Sequence, residues 1–262
     1  MADEPKFFSR NRIDRNSILI ASTGQANAVR IFDRDKDHIY ESVGSTNSIQ
    51  ETIEAQFKSG GLDFFQDVDF LAVLGHNLED FKFQHDAGAG FIDTPGATVV
   101  GASTNFTLLP IANVKAGKIK LVMDTVQASS GTLEKQVGQV LVLKRLLELP
   151  TDEAPDRLGI DFQQVARTTR MLDEGTIINQ LRWTGNRTER YRTRISFRLL
   201  SKANYDSLRE LVKTAVFFIQ AEPVQRPDEF FFVTHVRGGF PSEYTTLFKG
   251  NGYTISLNLE EV

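Results

Sequence analysis

Cysteine is absent from the 262 residues. That excludes disulfides, thiolate zinc sites and cysteine nucleophiles, and it suits a reducing compartment without requiring one. Long hydrophobic runs are also missing. No stretch approaches the roughly 20 apolar residues of a membrane helix, so no membrane span is expected. The opening stretch, MADEPKFFSRNRIDRN, has no apolar core of signal-peptide length, so export by a classical secretory signal is not expected. There is no excess of basic charge. A net charge of -4 and a pI of about 5.7 argue against a general nucleic-acid binder. Tryptophan occurs once and histidine four times. His38, His76, His85 and His235 show no metal-ligand spacing. Phosphate-binding loops, Rossmann glycines and the Gly-x-Ser-x-Gly nucleophile pattern are missing as well. No cofactor is implied.

Phenylalanine, by contrast, occurs 20 times against 5 tyrosines. It favours strands and packs between sheets. At 40% hydrophobic and 24% charged, the composition is that of an ordinary globular protein of one large or two smaller domains. Residues 1–17 are polar, with Arg10, Arg12 and Arg15, and read as an N-terminal arm. Strand-like segments then follow at 18–24 (ILIASTG), 28–32 (AVRIF), 52–57 (TIEAQF), 68–74 (VDFLAVL), 81–84 (FKFQ), 105–110 (NFTLLP), 118–124 (KIKLVMD) and 137–143 (VGQVLVL). Turns rich in Gly, Asn, Ser and Asp separate them, and no long helix intervenes. Such spacing predicts a β-sandwich or jelly roll over residues 18–150. The run 68–74 is near-continuously apolar, as a central strand is. It ends at Gly75-His76-Asn77, which has the residues of a ligand site but reads in a jelly roll as a tight corner between adjacent strands, with Gly75 allowing the bend and Asn77 bonding the turn.

Residues 149–156 (LPTDEAPD) carry two prolines and no periodicity, and 151–176 reads as a linker or crossing segment. Residues 177–262 predict a small α+β domain, to which the resemblance given below assigns an assembly role. Residues 177–186 (IINQLRWTGN) and 191–199 (YRTRISFRL) predict a hairpin turning at Gly185-Asn186. Ser201 caps a helix over 202–215, with Leu208, Leu211, Val212 and Ala215 on one face. Strands at 217–220, 229–234 and 253–259 complete it. The fold class is therefore mainly β: an N-terminal β-sandwich jelly roll followed by a small α+β domain with one helix.

Two clusters carry candidate chemistry. Asp33, Asp35 and Asp37 alternate as in a calcium loop, but positions six and twelve of an EF-hand are His38 and Gly44 here. A solvated turn and a non-EF calcium turn both fit. Arg190, Arg192, Arg194 and Arg198 share one face of the predicted hairpin by period 2, and Arg182 joins from the partner strand if register allows. That face is either solvated or an interface to an acidic partner; nucleic acid is disfavoured because aromatic platforms are missing from it. Asp152-Glu153 and Glu260-Glu261 have no feature that marks a glycosidase pair.

The succession IFDRDKD (31–37), YES (40–42), ETIEAQF (51–57), VDFLAVLGHNL (68–78) and FKFQ (81–84), closed by 118–124 and EKQVGQVLV (134–142), resembles discoidin-like, galactose-binding-like jelly rolls. Its Gly-His-Asn-Leu corner resembles the versions carried by tail and baseplate proteins of tailed bacteriophages. The C-terminal half resembles the small one-helix modules with which such proteins form rings. The resemblance implies a non-enzymatic virion protein of a phage tail or baseplate, made in the host cytoplasm. Its partners would be copies of itself and other tail proteins. A carbohydrate-binding module recognising a host surface glycan is the alternative. Tyr40 stands where that family usually has tryptophan, and no exposed aromatic platform is evident in the sequence, so no ligand residues are carried over.

Overall fold

The computed structural model describes residues 6–32, 38–148, 163–165, 168–173, 176–181, 190–213, 216–220, 223–224, 227, 230–235, 242–247 and 250–261. Asp33, Asp35, Asp37 and Arg182 lie outside the described residues. The chain divides into two compact units: Met1–Arg10 with Arg145–Val262, and Asn11–Lys144.

A short strand, β1 (Lys6–Phe8), comes first. Its Phe7 and Phe8 are fully buried. Within the segment read as an arm, Lys6–Phe8 is thus a strand of the other unit, because two adjacent phenylalanines on opposite strand faces gain more from burial than from solvent. The Asn11–Lys144 unit is a jelly roll. Its strands are β2 (Ile18–Ala21), β3 (Tyr40–Glu41), β4 (Glu51–Gln56), β5 (Lys58–Ser59), β6 (Leu62–Asp63), β7 (Gln66–Leu74), β8 (Leu78–Asp86), β9 (Phe91–Val99), β10 (Phe106–Ala116), β11 (Lys118–Val126), β12 (Gln136–Val137) and β13 (Gln139–Leu143). A five-stranded sheet in the order β2-β4-β11-β8-β9 accompanies a three-stranded sheet in the order β10-β7-β13, all pairs antiparallel. Ile53, Ala55, Phe81, Phe83, Leu121 and Met123 of the larger sheet form one core with Val68, Leu71, Val73, Val140 and Val142 of the smaller.

Strand β4 shows strict burial alternation, as its sequence predicts. Strand β7 is the middle of its sheet, and Phe70 to Val73 are buried on both faces, which accounts for its continuous apolar run. Three details differ from the sequence expectation. Residues 28–32 are not a strand: Gln25–Ile31 form a 3-10 helix with Ala28 and Ile31 buried, a three-residue spacing that suits three residues per turn. Strand β9 is unannounced because Pro95 and Gly96 sit in it. It is tolerated as the sheet's edge, where a missing N–H interrupts no inner ladder, and its register with β8 slips. Finally, β7 and β8 lie in different sheets rather than side by side.

The other unit contains β14 (Arg145–Glu148), β15 (Gln163–Val165), β16 (Thr168–Asp173), β17 (Thr176–Leu181), β18 (Arg190–Leu200), α1 (Lys202–Lys213), β19 (Phe217–Gln220), β20 (Phe231–His235), β21 (Ser242–Leu247) and β22 (Gly250–Glu261). Strands therefore occupy part of the predicted linker. Among the described residues the main sheet runs β14-β1-β19-β20-β22-β18-β15, with β21 on β22. Helix α1 begins after Ser201, whose hydroxyl accepts from the Asn204 N–H at 3.3 Å. It buries Tyr205, Leu208 and Leu211 against Phe197, Phe217, Ile219 and Leu257; Ala215 lies outside the described residues. Among the described residues, the two strands of the predicted hairpin of 177–186 with 191–199 do not pair with one another, and its turn at Gly185-Asn186 lies outside them. Strand β17 pairs with β16, while β18 pairs with β22 and β15. Only two residues separate Asp173 from Thr176, a shorter and therefore cheaper closure than the predicted one.

Candidate functional site

Antiparallel partners point to the same sheet face. Register across the five-stranded sheet therefore sets two complete rows on its outer face. One is Ile18, Gln56, Lys118, Asp86 and Phe91; the next is Ile20, Glu54, Lys120, Gln84 and Asp93. Lys118 lies 3.8 Å from Glu54 and 3.9 Å from Asp86. Lys120 lies 3.7 Å from Glu54 and stands over the Phe91 ring, 3.7 Å from its centroid. Gln84 donates to Asp93 at 2.8 Å. The centre of the face is thus a lattice of amides, ammoniums and carboxylates.

The first row ends against an aromatic step. Phe64 and Phe65, 46% and 40% exposed, follow the β5–β6 hairpin. Phe65 occupies space left by two glycines. A Cβ at Gly117 would meet its Cε1 at 2.9 Å, and one at Gly88 its Cζ at 3.5 Å. A chain of backbone hydrogen bonds fixes the step to the row: Phe64 N–H to Phe57 O at 3.1 Å, Phe57 N–H to Gly117 O at 2.9 Å, and Gly117 N–H to Asp86 O at 2.8 Å. The hairpin is closed by Lys58 and Gln56, which both donate to Asp63 Oδ1, at 2.6 and 2.8 Å. The Asp86 carboxylate accepts from the N–H groups of Gly88 and Gly90 at 2.6 and 3.0 Å. These bonds, with the nearby Lys118 ammonium, hold its carboxyl below the usual carboxylate range. Asp86 is therefore a fixed anion and acceptor, the opposite of a general acid that keeps its proton at neutral pH.

The other residues singled out by sequence fall elsewhere. The corner Gly75-His76-Asn77 carries the chain from one sheet to the other, with Gly75 at φ 63°. His76 Nδ1 accepts from the Leu78 N–H at 3.1 Å, which leaves Nε2–H to donate to Thr107 Oγ1 at 3.0 Å. Its ring meets Phe81 edge-on at 5.3 Å. Burial pushes its pKa down to about 4, so it is a neutral structural imidazole. Asn77 joins two backbone groups, donating to Glu134 O and accepting from the Gln136 N–H, both at 2.8 Å. Tyr40, a candidate for an aromatic patch, is fully buried and donates to Thr23 O at 3.0 Å. Arg190, Arg192, Arg194 and Arg198 lie in β18. Arg192 pairs in register with Glu260 and Gln163, and Arg194 with Asn258. Register slips between Phe197 and Leu200, both buried.

Sequence reading missed Phe64 and Phe65. In a chain this rich in phenylalanine the pair reads as core, and only Gly88 and Gly117, distant in sequence, make the step. The adjacent hairpin glycines Gly60 and Gly61, both with positive φ, were the available signal.

No protein-family model and no curated protein matches the chain by sequence. Solved structures are similar over about half of it. A chitosan-binding module of a Paenibacillus sp. IK-5 chitosanase/glucanase is 15% identical, with 51% of this chain and 98% of that one covered and a TM-score of 0.41. The family 32 carbohydrate-binding module of Clostridium perfringens NanJ, in complex with galactose, is 10% identical, with 53% and 99% covered and a TM-score of 0.41. A putative alpha-L-fucosidase from Bacteroides thetaiotaomicron is 19% identical, with 53% and 30% covered and a TM-score of 0.43. None of these three is described as a phage protein. Such likenesses concern fold alone.

Proposed function

We propose that the jelly-roll unit is a non-catalytic glycan-binding module that uses the Phe65 step and the row beside it. The observation that carries this reading is the two-fifths exposed Phe65 ring lying against Gly117 and Gly88, directly beside Lys118, Asp86 and Gln56. A sugar ring has C–H groups on its faces and hydroxyls on its rim. An aromatic face suits the former, where desolvation of both apolar surfaces is favourable. Fixed planar and charged donors and acceptors suit the latter, because hydroxyls both donate and accept. Lys118 supplies donors, Asp86 an anionic acceptor, and Gln56 an amide. The row is preorganised by its ion pairs, which limits the ordering cost of binding. A hydrolytic role does not fit this surface, since Asp86 is held ionised and cannot serve as the proton donor that glycoside cleavage needs.

The test is a glycan array with the intact chain, followed by calorimetry on any glycan retained. Wild type binds at least one glycan, and Phe65→Ala lowers affinity about 10–100-fold with the cooperative unfolding transition intact. Absence of binding across the array, or equal affinity of Phe65→Ala, overturns the reading.

A further inference from the structure

At the opposite end of the sandwich, two consecutive residues of opposite charge hold one loop. Glu134 accepts from the Gly44 N–H at 3.0 Å, the Ser45 N–H at 3.1 Å and the Ser42 hydroxyl at 2.8 Å. Lys135 reaches the next residues of the same loop. Its side chain is 0% exposed, which is rare for lysine. Its ammonium donates to Ser45 Oγ at 2.9 Å, Thr46 O at 2.6 Å and Ile49 O at 2.6 Å. All three of its protons are thereby matched by oxygens. Burial pushes its pKa down, and the carboxylates of Glu51, Asp124 and Glu134 act against that and favour the charge. The backbone of Lys135 adds two bonds to Ser42, one each way, at 2.8 and 3.0 Å.

Two inward-turned carbonyls, a hydroxyl and surrounding carboxylates are the hard oxygen donors that bind inorganic cations. The geometry points to a cation site whose occupant the chain itself supplies: the Lys135 ammonium does the work of a bound metal ion, and residues 42–50 keep their conformation because of its charge rather than through packing. Without the charge, the Thr46 carbonyl keeps only the Ile49 N–H at 3.1 Å while the Ile49 carbonyl loses the ammonium it faces, and a buried acceptor that loses its donor is costly. With the side chain removed, the vacated cage takes a small cation from solution. Asn47, whose Oδ1 accepts from the Val126 N–H at 3.1 Å, is held in the same loop. It lines a shallow depression of about 190 Å³ with Gln127, Ser130 and Thr132, so the charge also sets the wall of that depression.

Two variants test this independently of any glycan. Lys135→Met keeps the stem and removes the charge; Lys135→Ala also opens the cage. Both lower the melting temperature by at least about 5 °C and speed amide exchange at Gly44 and Ser45. Calcium chloride or ammonium chloride then raises the melting temperature of Lys135→Ala more than that of wild type. Tetramethylammonium chloride at equal ionic strength, too bulky for the cage, has no such effect. Wild-type stability and protection in Lys135→Met overturn the proposal. So does a Lys135→Ala variant that no cation restores, whether folded or recovered only by refolding in each salt.

Discussion

The two ends of the jelly roll are built in opposite ways. At the end bearing Phe65, glycines remove side-chain bulk so that an aromatic ring settles on the backbone and faces solvent. At the end bearing the 75–77 corner, buried and half-buried polar side chains reach across loops: buried Asn77 to the Glu134–Gln136 backbone, buried Lys135 to carbonyls, half-buried Glu134 to N–H groups. The lesson is that polar side chains here divide by exposure. Asn77 and Lys135 are buried, matched and stabilise loops; in the Lys118 row, Lys118 and Gln56 are half-exposed, with partners on one side and water on the other, around a buried Asp86. Substitutions should separate accordingly, into losses of stability at one end and losses of binding at the other.

The largest expected effect is on stability at the corner. Asn77→Ala removes two hydrogen bonds and leaves the Glu134 carbonyl and the Gln136 N–H without them in a part-buried place, which costs about 2–4 kcal/mol. Urea unfolding measures it, and glycan affinity of the folded fraction stays unchanged. Equal stability would dissolve the contrast. Next is acid. His76 has a folded pKa pushed from 6.5 down to about 4 by burial. Between those values the unfolded chain binds the extra proton, so stability falls as pH drops from about 6.5 and the loss levels off below about 4, reaching about 3 kcal/mol at most. A pH series of unfolding curves for wild type and His76→Gln checks the sign: the variant lacks this slope.

At the other end, Phe65→Ala weakens glycan binding by about 2 kcal/mol and costs stability by less, because much of the ring is already in water. The smallest effect belongs to Gly117→Ala. Its methyl meets the ring edge at 2.9 Å, so the aromatic ring remains but tilts, and affinity falls by about 1 kcal/mol. Calorimetry distinguishes the two. If only the presence of a ring matters and not its seat, Gly117→Ala binds as wild type.

How far the sequence foretold this depends on which interactions decide each element. Strands β4, β7 and β11 and helix α1 were legible because local burial period and a cap decide them. The 3-10 helix at Gln25–Ile31 was not, since a run of AVRIF is strand-like until its three-residue burial spacing is known. Strand β9 hid behind Pro95 and Gly96, whose turn chemistry is harmless only at a sheet edge. The pairing of β18 with β22 is long-range, and a nearer candidate partner was available in sequence. The corner at Gly75 was recognised as structural, but its crossing between sheets depends on global topology. The Phe65 step was illegible for the same reason: exposure of a phenylalanine is decided by glycines brought to it only by folding. Lys135 likewise looked like any surface lysine of a charged strand, and only the carbonyls of a loop nearly ninety residues earlier bury it.

The central claim is where ligand lands. Nitrogen-15 spectra of the intact chain, titrated with a glycan retained on the array, locate it residue by residue. The account predicts that amide shifts concentrate at Phe64, Phe65, Gly88, Gly117 and Lys118 while those of Gly44, Ser45 and Gln127 stay fixed. Shifts confined to the loops around Lys135, or none anywhere in the jelly roll, would contradict it.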